Sequence, residues 1–161
     1  MEEKNKVVRM ETSKGTMTLE LYAARAPKTV ERFMAATNAS KYDGLKFHRI
    51  IKDFMVQGGD PQGTGMGGGN VKFEGSDVKH VPGVISMAAQ QARVDQSDMQ
   101  FFIMTSTSEQ LDGNYTAFGH VTEGMDVLGA IAATPVAQAP WGERSRPLED
   151  VHIIKASEIL D

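Results

Sequence analysis

The chain has 161 residues, 40% hydrophobic and 24% charged, with no cysteine. That length supports one domain burying about two-thirds of the surface its unfolded chain would expose, and the lack of cysteine excludes disulfides and thiol nucleophiles. Seventeen basic against 21 acidic residues give a net charge of −4 without a long block of either sign, which argues against nucleic acid or an anionic membrane as partner.

The opening residues, MEEKNKVVRMET, hold no apolar run of the length a signal peptide or membrane span requires. Cytoplasm is therefore the expected compartment, and no feature points to oligomerisation, so a monomer is expected. Val8, Met10 and Thr12 alternate with Arg9 and Glu11, and after Lys14-Gly15 the residues Met17, Leu19 and Leu21 alternate in the same way. This predicts a hairpin. Pro27 suits a first helical position, and Val30, Phe33 and Met34 form a stripe that carries a helix to about Asn38.

Short strands follow around Gly44 to Met55, Val71 to Phe73, Val84 to Met87, Phe101 to Met104 and Ala117 to Val121. A second helix is predicted from Glu123 to about Ala133, with Met125, Leu128, Ile131 and Ala132 inward and Thr134-Pro135 as its stop. Ala137 to Pro147 reads as a loop in which Trp141 is a half-buried anchor, and Val151 to Leu160 as a closing strand. Many short strands, two helices and no strand-helix-strand alternation predict a mainly β fold, a closed antiparallel barrel spanning residues 1–161 as one domain.

Within this pattern Phe47 to Asp60, FHRIIKDFMVQGGD, stands out. Alternation sets Arg49 and Ile51 on one strand face and His48, Ile50 and Lys52 on the other. A planar, permanently charged fork with five donors lies beside Phe47, Ile50, Ile51, Phe54, Met55 and Val56. From this segment alone, a structural ion pair with an acidic neighbour is the favoured account of Arg49, ahead of a ligand contact. By alternation alone it is equally open which of Phe101 and Phe102 faces the core.

Gly63, Gly65 and Gly68 fit the dinucleotide-binding spacing GxGxxG, but an alternating strand pattern from Val71 to Glu74 follows, where that motif needs a helix. The loop is read instead as tight backbone beside a groove. His48, His80, His120 and His152 are scattered without metal-ligand spacing, so neither metal nor cofactor is expected.

The Phe47 to Asp60 segment resembles the signature of the cyclophilins, peptidyl-prolyl cis-trans isomerases. Ser86-Met87-Ala88, Gln100 to Ile103, Leu111-Asp112-Gly113 and Phe118 to Val127 follow in the family's order. The resemblance, closest to single-domain bacterial-type members, implies a closed eight-stranded barrel capped by two helices. Because side chains fill such a barrel, the substrate must bind outside it. It also implies a cofactor-free isomerase that assists folding, with proline-containing peptides and unfolded proteins as partners.

Rotation about an X-Pro bond meets a barrier near ~20 kcal/mol because the amide C–N bond has double-bond character. A site lowers it by preferring the twisted bond, with a donor aimed at the prolyl nitrogen and an apolar grip on the ring. By resemblance Arg49 is that donor, and Gln57 holds Arg49 and bonds the substrate backbone. Phe54, Met55, Phe102 and Leu111 line the proline pocket. The backbone of Ala89, next to Ala88, pairs with an extended peptide, while Gln100 borders the pocket for residues before proline.

Gln110 stands where many relatives carry tryptophan, so weaker inhibition by cyclosporin is expected, and Tyr115 replaces a histidine of many relatives. The loop Ala89 to Met99 is longer than the family pattern suggests and lacks the usual asparagine after Ser86-Met87-Ala88. A rival reading with the same pocket is a proline-peptide docking module that catalyses little.

Overall fold

The computed structural model describes residues 4–160. Its strands are β1 (Lys6–Thr12), β2 (Gly15–Leu21), β3 (Arg49–Ile51), β4 (Met55–Gly58), β5 (Asn70–Val71), β6 (Val84–Met87), β7 (Gln96–Ser97), β8 (Phe101–Met104), β9 (Ala117–Glu123), β10 (Val136–Gln138), β11 (Arg144–Pro147) and β12 (Ile153–Glu158). Two α-helices, α1 (Pro27–Asn38) and α2 (Met125–Ala132), and a single 3-10 turn at Glu109–Leu111 complete the described residues.

Eight strands form one antiparallel sheet in the order β12-β1-β2-β9-β6-β8-β4-β3. The sheet curls so that residues 44–47, which lead into β3, reach the start of β12. The Gly44 N–H donates to the Ile153 carbonyl at 2.7 Å, Ile153 N–H to Leu45 at 2.8 Å, and Phe47 N–H to Val151 at 2.9 Å. These bonds satisfy edge groups that an open sheet would leave to water.

The predicted hairpin is β1–β2, paired from Lys6–Leu21 to Thr12–Gly15. Helix α1 starts on Pro27 as expected and buries Val30, Phe33 and Met34. Phe33 meets Tyr42, Phe101 and Phe118 at ring-centroid distances of 4.9, 5.9 and 5.4 Å, which makes an aromatic knot inside the barrel.

Three local expectations need correction. Helix α2 buries Leu128 and Ile131, but Met125, expected inward, is 46% exposed because it sits in the first turn. The segment expected as one loop contains the hairpin β10–β11. Trp141 lies in the turn of that hairpin and is 70% exposed rather than half-buried. The turn closes on itself, with Ala139 N–H donating to the Glu143 carbonyl and Gly142 N–H to the Ala139 carbonyl, so it needs no buried anchor.

Register across four strands creates the site. Ile50, Val56, Ile103 and Ile85 stand opposite one another and all join the interior core. One residue along, Arg49, Gln57, Phe102 and Ser86 form the adjacent row, so their side chains project from the outer face. The choice between Phe101 and Phe102 is thereby resolved: Phe101 packs inside and Phe102 outside.

Candidate active site

The outer face carries its own apolar cluster of Met55, Val84, Phe102, Met104 and Ala117, flanked by Ile51, Phe54, Val78, Ala88, Leu111 and Tyr115. Above it opens a pocket of about 200 Å³ lined by Arg49, Phe54, Met55, Gln57, Ala88, Ala89, Phe102, Leu111 and Tyr115. A larger groove of about 570 Å³ adjoins it, sharing Gln57, Ala88 and Ala89 and adding Gln100 and the glycine loop. Of the residues proposed from sequence, Gln110 alone lines neither. It is exposed, and its carbonyl accepts a bond from Asn114 Nδ2 at 2.9 Å.

Polar groups at the pocket are chained together. Arg49 NH1 donates to Gln57 Oε1 at 2.9 Å, Gln57 Nε2 to Gln100 Oε1 at 3.2 Å, and Gln100 Nε2 to the Gly67 carbonyl at 3.0 Å. Gln57 and Gln100 are 8% and 6% exposed, so these bonds satisfy groups that would be costly to bury alone. The ion pair considered for Arg49 is present as well. Arg49 Nε and NH2 donate to Glu143 Oε1 and Oε2, both at 2.9 Å. Bonding to Arg49, opposed by burial and helped by Ser145 and Trp141, lowers the Glu143 carboxyl to about 2. Glu143 was not identified from sequence: it lies 94 residues from Arg49 and reaches it because β11 packs beside β3.

The pocket floor has a buried polar support that periodicity does not reveal. His80 lies parallel to Phe102 at 6.0 Å, and Tyr115 meets Phe102 edge-on at 6.1 Å. His80 Nε2 lies 3.0 Å from Ser86 Oγ, and its Nδ1 lies 3.0 Å from Asp112 Oδ1. Burial lowers the His80 pKa despite Asp112, so the ring is neutral and braces the floor. The trio resembles a serine-histidine-acid relay, but Ser86 is 0% and His80 1% exposed. No substrate carbonyl can reach the hydroxyl. The His48 ring lies against the glycine loop, where a side chain at Gly65 would start 3.7 Å from its Nε2; its ring nitrogens lack partners, and burial lowers its pKa, with Asp60 opposing and Arg49 adding to the effect.

The glycine loop wraps around a buried carboxylate. Asp60, 1% exposed, accepts from the N–H groups of Gln62 and Thr64 at 2.9 Å and from Gly65. A side chain at Gly67 would start 2.0 Å from Asp60 Oδ1. The loop then enters β5, not a helix, so the helix N-terminus that would hold a pyrophosphate is missing.

Burial pushes the Asp60 pKa up, but the backbone N–H bonds outweigh it and hold it below the ordinary 3.8. A carboxyl depressed by folding stabilises fully above its unfolded pKa, and that contribution is lost as pH falls through the folded value. Wild-type stability should therefore drop more steeply below pH 3.8 than that of Asp60→Asn, as read from urea midpoints. Parallel profiles would contradict the role given to the carboxylate.

The family of cyclophilin type peptidyl-prolyl cis-trans isomerases matches residues 7–158. The chain is 44% identical to peptidyl-prolyl cis-trans isomerase-like 1 of Neurospora crassa, over 96% of this chain and 94% of that one. It is 42% identical to the Homo sapiens protein of the same name, over 92% and 90%. Among solved structures, a Cryptosporidium parvum cyclophilin type isomerase superposes with a TM-score of 0.90 at 30% identity, covering 98% of this chain and 99% of that one. Its structure in the presence of the dipeptide Ala-Pro gives 0.87 at 30% identity, with 96% and 99% covered. With the barrel, the outer-face pocket and a family match across nearly its whole length, this chain belongs to the cyclophilin-type peptidyl-prolyl cis-trans isomerases.

Proposed function

We propose that this isomerase turns X-Pro bonds by electrostatic preference for the twisted amide, with Arg49 as donor to the prolyl nitrogen. The observation that carries the reading is the single row of Arg49, Gln57 and Phe102, which joins a cation to an apolar floor on one face. As resonance is lost the nitrogen lone pair becomes an acceptor, and a preorganised donor stabilises that state more than the planar one. Phe54, Met55, Phe102, Leu111 and Tyr115 grip the ring. The chemistry calls for no nucleophile and no cofactor.

The substrate is an extended proline-containing segment of an unfolded or flexible protein. Ala88 is tied down through Gln100 and Ser97, while the Ala89 N–H and C=O take no part in those backbone bonds, which leaves them for a strand-like contact with the peptide. The Ala-Pro dipeptide used with the C. parvum relative supports a proline peptide as ligand. Gln100 and the glycine loop frame the residues before proline. Gln110 lies off the pocket, which supports weaker cyclosporin binding than in relatives with an indole at that position. The compartment we assign is the cytoplasm; among the described residues no helix is long and apolar enough to cross a membrane.

Exchange NMR on a short proline peptide tests the reading. Substoichiometric protein should produce cis-trans exchange peaks that are absent from the peptide alone. Saturable binding with no added exchange would make the chain a docking module instead.

A further inference from the structure

We infer that Glu143 is a positioning residue, whose two parallel bonds hold the Arg49 guanidinium so that its remaining donors face the proline pocket. This rests on the reading of Arg49 as the donor to the prolyl nitrogen. A guanidinium has five N–H groups. One on Nε and one on NH2 go to Glu143, and one on NH1 goes to Gln57, which leaves two, one on each terminal nitrogen.

Gln57 by itself fixes a single nitrogen and leaves the guanidinium plane free to turn about that bond. The carboxylate of Glu143 fixes the plane, because a fork-to-fork pair constrains orientation as well as distance. Such restraint matters at this position. The Arg49 side chain is 35% exposed, it springs from a strand of three residues, and a free arginine side chain has much rotamer entropy to lose.

Glu143 is itself well anchored. Its carbonyl accepts from Ala139 N–H at 2.6 Å across the hairpin turn, and β11 lies against β3. Bonding to Arg49 keeps the carboxylate ionised far below neutral pH, so the clamp is permanent and not a pH switch.

The same anion has an opposing effect, since it offsets part of the positive potential that Arg49 presents to the substrate. Orientation and charge therefore predict opposite results when Glu143 is changed. If orientation dominates, loss of the clamp slows rotation; if charge dominates, it speeds rotation.

The test is kcat and peptide Kd from exchange NMR for wild type, Glu143→Ala, Glu143→Gln, Arg49→Ala and the double variant Arg49→Ala/Glu143→Ala, with the folded state of each checked by its thermal midpoint. Glu143→Ala should lower kcat by about tenfold while Kd stays within about twofold. Glu143→Gln keeps shape and an acceptor oxygen, so it should recover part of the loss and guards against a failure of Glu143→Ala to fold. In the Arg49→Ala background the second change should have no further effect.

A purely structural role would lower the thermal midpoint and leave kcat of the folded protein at the wild-type value. That result, or a rise in kcat in either Glu143 variant, overturns the inference and leaves the reading of Arg49 intact. Wild-type kcat in Arg49→Ala would instead remove that reading, and the inference with it.

Discussion

Arg49→Ala should lower catalysed X-Pro exchange by about two to three orders of magnitude, the usual effect of deleting a preorganised donor to developing charge. The loss should fall on kcat and not on peptide affinity, because the ring-gripping residues Phe54, Met55, Phe102 and Leu111 remain and the interaction removed belongs to the twisted amide. Folding should change little. Arg49 lies on the outer face, and its pair with Glu143 is partly exposed on both sides, at 35% and 27%, where ion pairs contribute little to stability. Arg49→Lys should recover only part of the rate, since an ammonium keeps the charge but cannot bond Glu143 and Gln57 in the same plane. The measurement is exchange NMR across substrate concentrations, and an unchanged kcat in Arg49→Ala would refute the mechanism.

The second large effect separates the two faces of one strand. Phe101→Ala and Phe102→Ala delete the same atoms from adjacent positions, and each should destabilise by about 3–5 kcal/mol, as aromatic truncations of buried sites do. Phe101 is 0% exposed in the aromatic knot with Phe33, Tyr42 and Phe47. Phe102 is 7% exposed, between His80 and Tyr115 at the pocket floor. Below the unfolding transition Phe101→Ala should keep near-wild-type kcat/KM, whereas Phe102→Ala should lose about tenfold or more through weaker peptide binding. Urea unfolding gives the stability and a proline-peptide assay the activity. Equal activity losses in the two variants would show that the outer row does not form the substrate pocket.

Much of this molecule is legible in its sequence. The alternation of Val8 to Leu21 is the β1–β2 hairpin, and Pro27 with the Val30, Phe33 and Met34 stripe is α1. In both cases one face is buried against a core, so local periodicity carries the information. The pattern around Arg49 set it apart from Ile50, and the fold places Ile50 in the interior and Arg49 outside. Periodicity could not choose between Phe101 and Phe102, because both are apolar and both are buried. Ordered family motifs, not residue physics, supplied the pocket residues.

What remained hidden was long-range or self-contained. Trp141 was expected to be anchored because indoles usually bury, yet its hairpin closes with its own backbone bonds. The support from His80, Asp112 and Ser86 beneath Phe102 depends on two separate loops meeting strand β6, and such contacts leave no periodic trace. Glu143 lies in a segment whose sequence reads only as a loop, and nothing local ties it to Arg49, 94 residues away.

From its own residues, then, the chain determined the apolar faces, the turns and the placing of a permanent cation beside a hydrophobic run, because those follow from side-chain period and backbone freedom over a few residues. Only the tertiary structure decided which way Phe102 faces, what braces it, and which acid holds Arg49. Those partners are joined by sheet register and by the packing of β11 against β3, and such contacts have no fixed separation along the chain.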